Sequence, residues 1–141
     1  MVYTGRCACG AVEVRIDGEP LAVRQCWCQH CQKIAAGGPT HNAIFSTDAI
    51  MTDGITASDS YVADSGNTLT RSHCAACGTP MFSASSARPQ MRVVRLGVLD
   101  QPHGLKPTAA IWTGEAPDWA ILDPALEQFP AQPPAPPSPQ S

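Results

Sequence analysis

The residues of this chain whose type and spacing could do chemistry are its seven cysteines, which fall into three tight groups. Cys7-Ala8-Cys9-Gly10 comes first, then Cys26-Trp27-Cys28-Gln29-His30-Cys31, and finally Cys74-Ala75-Ala76-Cys77-Gly78. None lies outside a group, whereas cysteines that serve as core residues are scattered singly. Residues i and i+2 of a strand project from one face, so a Cys-x-Cys pair can converge on one ion. A Cys-x-x-Cys turn also joins two thiolates and aims backbone amides at the sulfurs. The groups therefore read as zinc ligands, and the odd count argues against a disulfide framework.

Cys9 and Cys77 are each followed by a glycine, Gly10 and Gly78, a residue that accepts the positive φ such turns often need. Cys31 is followed by Gln32 instead. This shared feature groups Cys7, Cys9, Cys74 and Cys77 as a four-thiolate zinc site, closed and therefore structural. Cys26, Cys28 and Cys31 remain. Three thiolates on zinc leave one tetrahedral position for a displaceable ligand, the arrangement of catalytic zinc, and such a site would hold an incoming thiol as its thiolate. Alternatives stay open on the sequence. His30, His41, His73 or His103 could close the second site. Cys26 and Cys28 could join Cys74 and Cys77, freeing Cys7 and Cys9, and clustered thiols could also serve as an oxidation switch.

The elements that must position these groups are short. Val12, Val14 and Ile16 alternate with Glu13 and Arg15, a half-buried strand that Asp17-Gly18 ends. Leu21 to Gln25 reads as a strand that delivers the chain to Cys26, and residues 29 to 36 as two helical turns stopped by Gly37-Gly38-Pro39. Short apolar pieces between Asn42 and His73 predict a run of strands, with Met91 to Leu99 and Ala109 to Trp112 adding two more. Without helical crossovers between them, the expected sheet is antiparallel. Trp112 and Trp119 are expected in the core or in a pocket wall. Asp48, Asp53, Asp59, Asp64 and Asp100 read as ordinary turn and loop residues.

At 141 residues the chain fits one domain, expected over residues 1–129. Residues 130–141 hold six prolines and no charge, a segment expected to be an extended, flexible tail. Only 15% of the chain is charged and 14 residues are proline, a balance that favours strands and turns over helices. A net charge of −3 with 9 Lys and Arg gives no footprint for nucleic acid. No apolar run is long enough for a signal peptide or a membrane span. A cytoplasmic location is expected, where thiols stay reduced.

Three stretches together resemble one family. Gly5-x-Cys7-x-Cys9-Gly10-Ala11-Val12, Cys26-x-Cys28-x-x-Cys31-x-Lys33 and His73-Cys74-x-x-Cys77-Gly78-Thr79-Pro80-Met81-Phe82 are similar to the glutathione-dependent formaldehyde-activating enzymes, a family that includes centromere protein V. The resemblance spans about residues 1 to 122. It implies a mainly β, Mss4-like fold of coiled short antiparallel strands around two zinc ions. It also implies structural Cys7, Cys9, Cys74 and Cys77, with Cys26, Cys28 and Cys31 holding a catalytic zinc. The implied activity is that of a carbon–sulfur lyase on S-(hydroxymethyl)glutathione-type adducts, with a small-molecule thiol or its aldehyde adduct as partner. An interaction module of the same fold, with no catalysis, is the other function compatible with it. The chain departs from the family pattern at Trp27, Gln32 and Ala110, where relatives often carry histidine or arginine.

Overall fold

The computed structural model describes residues 1–139. Alternation sets the first elements. In β1 (Val2–Arg6) and β2 (Glu13–Asp17) every second residue is buried, and the two pair antiparallel, with β5 (Ile50–Asp53) on the far side of β2. The second sheet has eight strands in the order β11-β10-β3-β4-β9-β8-β7-β6. Its members are β3 (Ala22–Cys26), β4 (Thr40–Ser46), β6 (Thr56–Val62), β7 (Thr68–Cys74), β8 (Pro80–Ser85), β9 (Met91–Arg95), β10 (Ala109–Ile111) and β11 (Glu127–Gln128). The single α-helix among the described residues, α1 (Gln29–Ile34), is two residues shorter than the expected 29–36. The fold is mainly β, as the sequence indicates, and fits a small Mss4-like fold.

Two sequence expectations need correction. The sheet is mixed rather than antiparallel, because β10 runs parallel to both β3 and β11. A parallel neighbour needs a long crossover, not a helical one. The chain first builds β4 to β9 and returns to lie beside β3, and a stretch of turns and loops between Trp112 and Leu126 serves as the second crossover. Met91 to Leu99 is not one strand either. It breaks after Arg95 into a 3-10 turn, Leu96–Val98, that swings Leu99 back to bridge Gly5.

The core lies between the two sheets. Tyr3, Val14 and Ile16 from the small sheet, with Val12 just before β2, meet Phe45, Phe82, Met81 and Val94 from the large one, joined by Val98 and Leu99. Cys7 and Cys74 belong to this cluster, so the first and last cysteine groups meet at its edge. Gly5 is required there: a Cβ would strike the Val98 carbonyl. Among the described residues no helix is long and apolar enough to cross a membrane.

Candidate metal centres

The structure brings the seven cysteines together as four and three. Sulfurs of Cys7, Cys9, Cys74 and Cys77 all lie within 4.8 Å of one another, as do those of Cys26, Cys28 and Cys31. Cys26 and Cys28 thus do not join Cys74 and Cys77.

The four-thiol centre is made from two turns held face to face. After β1, the Gly10 amide returns to the Cys7 carbonyl at 3.1 Å and the Val12 amide donates to Cys7 Sγ at 3.2 Å. After β7, the Gly78 amide returns to the Cys74 carbonyl at 2.9 Å, and the amides of Ala76 and Cys77 donate to Cys74 Sγ at 3.4 Å each. Gly10 and Gly78 have φ of 82° and 80°, with nothing within 4 Å of where a Cβ would sit. Conformation, not space, selects glycine at both. The Cys7–Cys9 and Cys9–Cys74 sulfurs are 3.6 and 3.8 Å apart. Four thiolates around a tetrahedral ion at about 2.3 Å would be roughly 3.8 Å apart, so the set fits zinc.

Thr79 locks the two turns together. Its Oγ1 accepts from the Ala8 amide at 3.1 Å, which leaves its hydroxyl proton for Cys77 Sγ at 3.0 Å. That bond leads in drawing the Cys77 thiol down to about 5. Although the Ala11 amide favours its thiolate, Cys9 is pushed up to about 11 by the sulfurs of Cys7 and Cys77. Such a set cannot ionise fully without a cation among the sulfurs.

The three-thiol centre sits where β3 ends and α1 begins. β3 carries Cys26 into the sheet, flanked by Thr40 of β4 and Ile111 of β10. Cys28 caps α1, its Sγ accepting from the Cys31 amide at 3.3 Å. Cys28, Cys31 and then burial push the Cys26 thiol far up, while the sulfurs of Cys26 and Cys28 draw Cys31 down to about 2. Here too the donor set fits a thiophilic ion.

Among the described residues no His, Asp or Glu joins this trio. His30 stacks on Tyr61 instead, with ring centroids 3.9 Å apart, and His41 faces Gln25. His103 Nδ1 accepts from the Leu105 amide, and His73 lies on β7 opposite Ala57 of β6.

The three thiols open onto a cleft of about 640 Å³. Five arginines line it, Arg24, Arg71, Arg88, Arg92 and Arg95, against two carboxylates, Asp64 and Glu115. Only Arg71 is ion-paired among the described residues, to Asp59. Arg95 is buried, with Nη1 donating to Asn42 Oδ1 at 2.6 Å and Nε left without a partner among the described residues. Glu115 Oε2 is a second buried atom without one. These arginines come from β3, β7, β9 and the turn before β9, far apart in sequence.

The residues that depart from the family pattern have structural roles here. Gln32 Nε2 donates to the carbonyls of Trp27 and Glu115 at 2.7 and 2.9 Å, pinning the cysteine loop to the segment after β10. Trp27 is buried, its Nε1 donating to Gln25 Oε1 at 3.1 Å. Ala110 is wholly buried in β10. Trp112 lines the cleft, but Trp119 is neither core nor wall: it is 70% exposed.

Residues 130–139 are not free of the fold. The carbonyls of Phe129, Pro130 and Ala131 accept from Thr113, Gly114 and Trp112, Pro133 is buried, and Gln132, Ala135 and Pro136 line the cleft. Gln140 and Ser141, the end of that segment, lie outside the described residues.

Comparison with known proteins bears on this arrangement. A crystal structure of a Rhodobacter sphaeroides protein is similar at 22% identity with a TM-score of 0.53, over 74% of this chain and 91% of that one, a likeness of fold. No curated protein matches the chain. The profile of the glutathione-dependent formaldehyde-activating enzymes matches residues 2–115, which include both cysteine clusters. With that match over most of its length and its seven cysteines gathered as four and three, the chain belongs to the glutathione-dependent formaldehyde-activating enzyme family.

Proposed function

We propose that the chain is a zinc-dependent carbon–sulfur lyase acting on thiol–aldehyde adducts of the S-(hydroxymethyl)glutathione type, with Cys7, Cys9, Cys74 and Cys77 holding a structural zinc. The observation that carries the reading is a three-cysteine centre with no fourth ligand among the described residues, facing a cleft rich in unpaired arginine. Zinc held by Cys26, Cys28 and Cys31 would act as a Lewis acid that keeps a substrate sulfur ionised at neutral pH. In the lyase direction the C–S bond breaks, the hydroxyl proton is lost as the carbonyl forms, and the thiol is regenerated.

The chain's own residues supply binding and exclusion of water. Arg24, Arg88 and Arg92 offer forked donors for the carboxylates of the thiol. Arg95 offers a buried Nε with no other partner, suited to an oxygen of the bound adduct. The stacked His30 and Tyr61 rings cover the cleft beside α1. These arginines provide the cations that Gln32 does not. A closed, non-catalytic second site would need a fourth protein ligand, and the positions of His30, His41, His73 and His103 run against it.

Cys28→Ser tests the reading, because serine keeps the α1 cap while weakening the metal site. The variant is expected to lose at least about a hundredfold in turnover of S-(hydroxymethyl)glutathione and to retain the first zinc by metal analysis. Turnover equal to wild type would refute the assignment.

A further inference from the structure

Beyond the last residue matched by the family profile, the chain does something the profile does not describe. Leaving β11, it crosses the large sheet transversely. Gln132 Oε1 accepts from Trp112 Nε1 at 3.0 Å just past β10, the Pro134 carbonyl accepts from Arg24 Nη2 at 3.1 Å on β3, and Ser138 meets Gln90 at 3.5 Å just before β9. Those anchors follow the strand order β10-β3-β4-β9. Three inter-strand steps span roughly 14 Å. Six residues of extended, proline-rich chain reach about 19 Å, enough to make the crossing. Prolines suit such a crossing because they lose little chain freedom when ordered and leave few unbonded amides.

Trp112 marks how firmly this segment grips. It is one of two non-glycine residues with positive φ among the described residues, at 57°, a conformation costly for a bulky side chain. Both its backbone amide and its indole N–H are bonded to the crossing segment, at Ala131 and Gln132. The same segment engages Arg24 by a neutral carbonyl, which fixes the guanidinium and leaves its charge unpaired.

We propose that residues 130–139 form a selectivity strap, a wall added to the three-thiol cleft that sets how large a thiol adduct the site accepts. The proposal rests on the cleft being a thiol-adduct site. Ala135 and Pro136 form the wall, small residues where a substrate's far end would lie; Gln132 and the Pro134 carbonyl hold the wall and Arg24 in place. The strap is a specificity element and takes no part in bond breaking.

The test uses the full zinc-loaded chain and Ala135→Trp, at an exposed position whose added bulk would project from the wall. Binding of glutathione and of 2-mercaptoethanol is measured by calorimetry. Hydrogen exchange at Trp112 and Gly114, the amides bonded to the strap, shows whether it is docked. The expected result is slow exchange in both proteins, glutathione affinity at least about tenfold weaker in Ala135→Trp, and 2-mercaptoethanol affinity within about twofold of wild type. Fast exchange at those amides in wild type, or equal weakening of both thiols, overturns the strap. If wild type binds glutathione and Ala135→Trp binds it equally well, the strap alone falls. If wild type binds neither thiol, the functional reading falls and takes the strap with it.

Discussion

At the scale of single residues, one hydrogen-bond chain beside the three-thiol centre fixes a protonation state. Trp27 Nε1 donates to Gln25 Oε1, so the Gln25 amide must turn its Nε2 toward His41 Nε2, 3.1 Å away. That nitrogen has to accept, which requires a neutral imidazole with its proton on Nδ1. Desolvation acts in the same direction and holds His41 below its ordinary 6.5. A group whose folded value is lowered stabilises the fold above its unfolded value and loses that contribution as the pH falls through the lowered one. The melting temperature should therefore fall between pH 7 and pH 5.5, and His41→Gln, which keeps an acceptor, should flatten part of that fall. Equal pH dependence in the two proteins would show that His41 is not the group responsible. At this scale the sequence was most informative about the cysteines, because metal ligands come in local pairs whose spacing is itself the signal. Arg24, Arg88 and Arg95 carry no such signal, since each is an ordinary strand or turn residue until the sheet assembles. Gln32 could be misread as a lost cation for the same reason: its bonds to Trp27 and Glu115 exist only in three dimensions.

At the scale of elements, alternation made β2 legible, since a half-buried strand carries a period of two, and short apolar pieces marked the strands between Asn42 and His73. The order and direction of strands were not legible. β10 is only three residues long and wholly buried, so it has no alternation to read, and its parallel placement beside β3 depends on what the rest of the sheet leaves open. One demanding junction between elements is Gly5 of β1 against the Val98–Leu99 turn. Gly5→Ala should cost about 2–4 kcal/mol by denaturant unfolding, through overpacking against backbone that cannot yield. Gly97→Ala, one residue before that contact but with nothing within 4 Å, is the control and should be close to neutral. Equal effects would mean that the junction relaxes.

At the scale of the whole molecule, the four-thiol centre joins the small sheet to the large one at the edge of their shared core. Stripping zinc with a strong chelator should remove much of the stability of the fold, since zinc in small modules contributes on the order of 10 kcal/mol and a domain's total is about 5–15 kcal/mol. The expected readout is loss of the cooperative thermal transition, restored on adding back zinc. An unchanged transition would remove the centre from the account of stability. The same junction governs the order in which the molecule can come together. Cys9 meets Cys74 across 65 residues, and Thr4 bonds Asp100 across 96. A loop of the first size loses roughly 4 kcal/mol of chain entropy on closing, and contacts this remote in sequence slow folding. β1 can pair with β2 locally, so the slow step these remote contacts set is the docking of that hairpin on the large sheet. Until it docks, the glycine-led turn at Cys7 has no partner, and a soft ion shared by the two turns would hold them together once they meet.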